Sequence, residues 1–557
     1  MSAQTIVVKK NEEESKELLN SSDPAPAPKS NFDLLAPFRY FTKSEQRNLT
    51  LYILGIMLYK FGLESINASM NGIIINRLYM YPKGLAKDDK SGIELNATAV
   101  GLNLACQVIG ALTIGPLFKR FHAKNVLACA ILGFATIVAI VPLMEAITGG
   151  KIPGSAKSKD PKFWGTFSAY NILPIFAVCG IFHGMVELMR RVVPADIVGG
   201  DAGKLKRMDG LVHLCYEITG TIGATFAYVW IGYFGWGYVL LLPPICFILA
   251  AISWSFITSR PEEAKVIAEF REAHKDQSIP AALLEGFYSF FHSVFFGAKL
   301  VFSQRALVWL VPAYTLPLVL HRYLENTLFP NYLKVTFDST DAQTILVGGS
   351  NFGELLGALA VMIVAKHVHT PIPWLRLDVI MISFVWILPF MYNPTLDSKG
   401  FAPIADIYSV CWQLAPFMSL ISFGWAAGDI SLAAYVQSRL DGYENLDKYT
   451  SPLGAVMSFL YVVYLVIFYF LNTWMSSIAK NWGKENRQTL WIIAGGGFMS
   501  ICGVIVMAST FIPRGAFALN PNPDSIKFDD EITLGGESLQ KKAEGDKSDE
   551  AQTIIGL

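Results

Sequence analysis

Twelve stretches of this 557-residue chain are apolar and long enough, at about 20 residues, to cross the roughly 30 Å hydrocarbon core of a bilayer. They are read at 49–78, 97–117, 125–147, 166–190, 209–234, 236–257, 306–330, 342–366, 375–392, 405–435, 452–475 and 489–512. Inside hydrocarbon a backbone must satisfy its own hydrogen bonds, so runs of this length dictate helices. The expected fold class is therefore all-α and integral to the membrane. Composition agrees, with 52% hydrophobic residues, 16% charged residues and a mean hydropathy of +0.39, where an average soluble domain carries roughly 25% charged residues.

One stretch occurs twice. Gln107-Val-Ile-Gly110-Ala-Leu112 continues to Lys119 and His122, and Glu354-Leu-Leu-Gly357-Ala-Leu359 continues to Lys366 and His369, at one constant offset. Each copy reads as an apolar helix with a small-residue notch, emerging into a basic loop at the same register. Such a repeat implies two homologous six-helix halves, an architecture that builds a pathway between them. The domain plan expected is a disordered cytosolic tail (1–48), an N-terminal six-helix bundle (49–257), an amphipathic cytosolic linker on the membrane surface (258–304), a C-terminal six-helix bundle (305–512) and a cytosolic, disordered tail (513–557).

An even number of spans puts both tails on one side. Lys119, Arg120, Lys124, Arg190, Arg191, Lys204, Lys206, Arg207, Arg260, Lys265, Arg271 and Lys275 fall in the loops on that side, so the positive-inside rule assigns it to the cytosol, although Lys151, Lys157, Lys159 and Lys162 oppose them. The sequon Asn96-Ala-Thr98 then lies on the lumenal or extracellular side, which makes Asn96 a candidate glycosylation site. Met1 to Ser44 is polar, so no cleavable signal is expected and the first span serves as its own anchor. Glu14-Ser-Lys-Glu-Leu18-Leu19 fits an acidic dileucine pattern; the plasma membrane is the first expectation for location and a vacuolar or endolysosomal membrane the second.

Zero formal net charge argues against nucleic acid as a partner, and neither a phosphate loop nor a dinucleotide fingerprint is present. No cofactor is expected, and pumping would have to run on a gradient. Cys106, Cys129, Cys179, Cys215, Cys246, Cys411 and Cys502 all lie in apolar runs without a C-x-x-C pair, so they read as buried hydrophobes and no metal site is expected.

After span 2 the chain reads Gly115-Pro-Leu117-Phe-Lys119-Arg120-Phe-His122-Ala123-Lys124. Twelve spans in two sixes, a long central loop and this basic turn repeated after span 8 resemble the major facilitator superfamily, whose motif there is G-x-L-x-D-R-x-G-R-K. Gly115, Leu117, Arg120 and Lys124 match; Lys119 replaces the motif's Asp, His122 its second Gly and Ala123 its second Arg. The resemblance implies a conformational gate at Gly115, Leu117, Lys119, Arg120, Lys124 and Lys366, but Lys119 cannot serve as the acidic latch. No subfamily follows. A small-molecule substrate, protons and the lipid bilayer are the implied partners, and a monomer the implied state.

Charges at mid-bilayer cost about 2.5 to 3.5 kcal/mol on insertion scales, so those that persist face a cavity or a partner. Span 1 carries Lys60 and Glu64 four residues apart, with Asn67 and Asn71 on the same face. Span 7 carries His321, Arg322, Glu325 and Asn326, a base again followed by a glutamate four residues on. Equivalent helices of parallel repeats line the central cavity, so the resemblance places Glu64 and Glu325 on the pathway. Span 5 adds His213 and Glu217 ahead of Gly220 and Gly223, span 8 adds Asn351 and Glu354, and span 10 adds Asp429 beyond Gly424 and Trp425. Each of these pairs reads equally as a structural ion pair. Glu187, Arg190 and Arg191 end span 4, where the arginines read as snorkelling to the interface.

The function that follows is a secondary transporter moving a small polar solute by alternating access, with proton coupling through Glu64, Glu217, Glu325 or Glu354. A facilitative uniporter would keep the cavity without a titrating carboxylate. A nutrient sensor or scaffold would have no reason to retain so many intramembrane charges, and a membrane enzyme finds no H-x-x-x-H pair among His183, His213 and His321.

Overall fold

The computed structural model describes residues 41–80, 91–154, 161–198, 202–259, 261–273, 278–337, 340, 342–364, 367–368, 370–391, 404–440, 452–482, 487–522, 531–534 and 537–540. Among them ten helices are long and apolar enough to cross a membrane. The first three crossings are α1 (Lys43–Met80), α2 (Ser91–Arg120) and α3 (Ala123–Ile147), followed by α4 (Ile172–Val198). The fifth apolar helix, Gly210–Ser255, has 46 residues and is two crossings. It breaks at Gly235, whose φ of 75° only glycine adopts readily, into α5 (Ala202–Tyr238) and α6 (Leu242–Ser255).

Two linker helices, α7 (Pro261–Ala273) and α8 (Ile279–Ser303), lead to span 7, which comes in pieces: α9 (Arg305–Val308), α10 (Leu310–Tyr323), a π-helical turn at Leu324–Leu328 and α11 (Phe329–Phe337). Then follow α12 (Gln343–Val364), α13 (Ile372–Ile382), α14 (Ile404–Leu440), α15 (Pro452–Trp482), α16 (Arg487–Trp491), a second π turn at Ile492–Gly497 and α17 (Phe498–Ser509). The α13 crossing is the short one. Expected over 375–392, it starts at Ile372 and tightens into a 3-10 turn at Ser383–Ile387, so it falls below the length of the ten. Counting it, the protein is an all-α bundle of twelve crossings.

The repeated notch is a packing seam. A Cβ on Gly110 would stand 1.8 Å from the carbonyl oxygen of Ile181, and one on Gly184 would stand 1.9 Å from that of Gln107, so α2 and α4 touch backbone to backbone. At the same register in the second half, Gly357 and Gly353 press on the carbonyls of Phe423 and Ser419, with a Cβ on Gly353 only 2.0 Å from the latter. Ser419 Oγ donates to Gly349 O at 2.7 Å across that α12/α14 seam. Without a hydrophobic driving force between helices in lipid, such close approach and its hydrogen bonds supply the association.

Lys43 and Ser255 mark the tail end of the bundle; Arg77 and Glu145, ion-paired and buried, mark the far end. Hydrogen bonds between the halves gather at the far end. Asn76 Nδ2 donates to Thr340 Oγ1 at 2.9 Å, Lys334 Nζ donates to Asn76 Oδ1 at 3.2 Å, Asn472 Nδ2 donates to Ala97 O at 3.3 Å, and Lys480 pairs with Glu94 at 2.7 Å. Asn96 belongs to this closure. It is 1% exposed inside α2 and its Nδ2 donates to Asn326 O at 3.4 Å, so the glycosylation expected there is corrected: no glycan fits a buried amide in a helical turn.

The linker is more than a surface strip. The exposed face of α8 carries Leu284, Tyr288, Phe291, Phe295 and Phe302 at helical spacing, while Leu300 and Val301 on the other face are buried with Val456 and Leu460 of α15. Gly297 meets the Ala455 carbonyl, where a Cβ would be 2.0 Å away. Within the tail expected to be disordered, β1 (Glu531–Leu534) and β2 (Glu537–Gln540) pair antiparallel, Glu531 opposite Gln540.

Gly353→Val should abolish monodisperse protein in size-exclusion chromatography, because the added side chain meets backbone rather than a movable side chain. Gly232→Ala, with nothing within 4 Å of its Cβ, should elute like the parent.

Candidate functional site

The intramembrane charges converge where the two halves meet. From α1, Lys60 Nζ lies 2.6 Å from Glu64 Oε1, the spacing a regular helix gives residues four apart. Glu64 Oε1 also accepts from Asn351 Nδ2 of α12 at 3.1 Å, which bridges the halves. Lys60 sits over the Tyr216 ring at 4.7 Å. Gly220 and Gly223 of α5 make the room: a Cβ on Gly220 would come within 2.5 Å of Lys60 Cε, and one on Gly223 within 3.3 Å of Glu64 Cγ.

Span 7 is less regular. A π turn runs from Leu324 to Leu328 and contains Glu325. His321 Nε2 is 3.6 Å from Glu325 Oε2, the contact that i, i+4 spacing gives, and 2.6 Å from Glu354 Oε1 of α12. Glu325 also accepts from Ser350 Oγ at 2.6 Å and lies 3.9 Å from Arg322. The imidazole is stacked on Trp425 of α14, with centroids 5.6 Å apart and planes at 20°. The Arg322 side chain is 46% exposed and opens onto the space between the halves, within electrostatic reach of Tyr216 and Tyr464.

Sequence reasoning missed a third group, at the end of span 4. Glu187 accepts from the Tyr59 and Tyr216 hydroxyls at 2.9 and 3.2 Å and from Arg190 at 2.9 Å. Arg190, read as snorkelling, is instead held in this pair and over the Tyr216 ring at 4.2 Å. The i, i+3 spacing of Glu187 and Arg190 was the available signal.

The other expected residues separate. Glu217 is 1% exposed, interacts with Glu354, Lys60 and Glu64, and stands 4.0 Å from His213, too far for a hydrogen bond. Asn67 is half-buried and Asn71 buried further along α1. Asn326 turns back to donate to Arg322 O at 3.2 Å, and Asp429, half-buried, lies one turn beyond Trp425. In the loop after α2, Lys124 Nζ caps the end of α6 by donating to Ile257 O at 2.6 Å. There the Arg120 carbonyl accepts from Arg271 of α7 at 2.7 Å, and Leu117 O accepts from Phe121 N at 2.9 Å. The surroundings of Gly115 and the side chain of Lys119, like Lys366 altogether, lie outside the described residues.

Among the described residues the cluster gathers five carboxyl groups, those of Glu64, Glu187, Glu217, Glu325 and Glu354, around three fixed cations, Lys60, Arg190 and Arg322. Among the described residues, His321, Glu325 and Glu354 bring ligand atoms within 4.8 Å of one another, near enough to share a proton or hold a metal ion. Sequence spacing does not reveal such a group, because Glu354 comes from a different helix.

The sequence profile described as Major Facilitator Superfamily matches residues 49–441. The chain belongs to the major facilitator superfamily. A search of curated proteins finds no match. Among solved structures, the partially occluded inward-open xylose transporter XylE from E. coli aligns with a TM-score of 0.53 at 13% identity, over 84% of this chain and 96% of that one. The nucleoside transporter NupG aligns at 0.50 and 14% over 84% and 99%, and a mutant of the peptide transporter POT with sulfate at 0.50 and 12% over 83% and 93%. At these identities the likeness is one of fold. In this facilitator protein, as the fold requires, the cluster lies at the interface of the six-helix halves.

Glu64→Gln should leave Lys60 as an unpaired buried charge, at a cost of about 3 to 5 kcal/mol, and lower the melting temperature read by fluorescence-detected size exclusion. Replacing both, Lys60→Met with Glu64→Leu, should recover most of that loss.

Proposed function

We propose that this multi-pass membrane protein carries a small polar solute across the bilayer by alternating access, coupled to protons that bind at His321, Glu325 and Glu354. One observation carries the reading: a single imidazole is placed between two glutamates from different helices, at the junction of the halves. A proton shared between His321 and Glu354 neutralises one carboxylate. Its loss restores a charge that Arg322, exposed to the space between the halves, is free to attract. Protonation then changes which pairs form across the seam, and the far-end hydrogen bonds provide the gate that must open when they do.

The tail end is assigned to the cytosol by its basic loops, with the plasma membrane as first location and a vacuolar or endolysosomal membrane second. The dileucine pattern at Leu18 and Leu19 lies outside the described residues.

Glu325→Gln keeps shape and hydrogen bonding but not charge. It should abolish protonophore-sensitive solute accumulation in vesicles while leaving expression near the parent level. Accumulation that persists in this variant and in Glu354→Gln would move the coupling site elsewhere, and a parent insensitive to protonophore would replace coupling with facilitated diffusion.

A further inference from the structure

Asp378 stands in α13, outside the cluster described above. It is 1% exposed, and both carboxyl oxygens lack a hydrogen-bond partner among the described residues. Across from it on α14, Gly424 removes the side chain that would collide: a Cβ there would be 2.6 Å from Asp378 Cα and 3.0 Å from Oδ1. The backbone contact seals the carboxyl group from lipid and water alike.

The surroundings supply no fixed cation. Arg376, two residues earlier, is turned toward the segment after α17, donating to Thr510 Oγ1 at 3.1 Å, Ala518 O at 2.6 Å and Ala516 O at 2.5 Å. The α17 helix, which also packs on α13, contributes no acidic or basic side chain from Phe498 to Ser509, and the turn at Ser383–Ile387 contributes none. The nearest acid on α14 is Asp429, five residues past Gly424. One basic group is within electrostatic reach: His321, whose ring stacks on Trp425, the residue after Gly424. His321 uses Nε2 on Glu354 and leaves Nδ1 without a hydrogen-bond partner among the described residues.

We infer that Asp378 is a second proton-binding site, neutral in this conformation and separate from the central cluster. An ionised carboxylate stripped of water and of donors is so unfavourable that the group takes up a proton instead. Binding forms the Asp378 O–H bond and release breaks it, returning the proton to water once the α13/α14 contact no longer covers the group; no other bond changes.

Infrared spectroscopy of the purified protein in lipid reads the proton directly. At neutral pH, the parent minus Asp378→Asn difference should contain the carbonyl stretch of a neutral carboxyl group, and labelling the parent with isotopic aspartate should shift that band even if the variant fails to fold. A carboxylate band in its place would overturn the site. A part in coupling rests additionally on the transport reading: Asp378→Asn should reduce gradient-driven accumulation by about tenfold or more. Parent-like accumulation in a variant that has lost the band would overturn that part. A parent that is itself insensitive to protonophore would sink the coupling reading, while the infrared band would still decide whether Asp378 holds a proton.

Discussion

Backbone-to-backbone contact at Gly110 and Gly184 in one half, and at Gly353 and Gly357 in the other, is the constraint on which the rest of this facilitator protein depends. In lipid, helices gain little from hiding apolar side chains from one another, so closeness of approach and the interhelical hydrogen bonds it permits decide which helices associate. Four helices are thereby fixed in two pairs related by the repeat, and each half becomes a block with little internal play. Between the blocks the contacts are mixed: polar side chains pair across the junction, and glycines such as Gly101 and Gly220 meet side chains, of Tyr469 and Asn351, rather than backbone.

The charged cluster is placed by that division. Glu64 reaches Asn351 across the seam, and Glu354, borne by the same helix as the second notch, reaches His321. At the position where the first repeat has Gln107, which donates to Asn103 Oδ1 at 2.8 Å within its own helix, the second repeat has this glutamate. The halves are thus matched in packing and unmatched in chemistry. A symmetric frame holds an asymmetric arrangement of charge, and among the described residues it is the second half that carries an imidazole in contact with two carboxylates.

Much of this was legible in the chain. Hydropathy gave the crossings because the bilayer fixes their length, and the pair at Lys60 and Glu64 was read correctly because α1 is a regular helix through that region. The same spacing rule also brought His321 to Glu325, at 3.6 Å, but no pattern announced the π turn there or the second partner of the glutamate, Ser350. Partners contributed by other helices were equally hidden: Tyr59 and Tyr216 for Glu187, Asn326 for Asn96, Gly424 for Asp378. The sequon at Asn96 misled because a three-residue pattern carries no information about burial. The early end of α13 was missed because an apolar run looks the same whether it coils as α or 3-10.

The far-end closure bears on how fast such a molecule can work. Among the described residues five hydrogen bonds or ion pairs hold it, at Asn76 with Thr340, Lys334 with Asn76, Asn96 with Asn326, Asn472 with Ala97 and Lys480 with Glu94. Each is exchanged for water on opening and contributes about 0.5 to 1.5 kcal/mol net. Together they amount to roughly 5 kcal/mol, which leaves on the order of one molecule in several thousand open at the far end through thermal motion alone. Under the proposed alternating access, a lock of that strength is shut against leakage for most of the time, yet weak enough for the differential binding of one solute or proton to reverse the populations. Its release would then fall in the microsecond to millisecond range typical of domain motions.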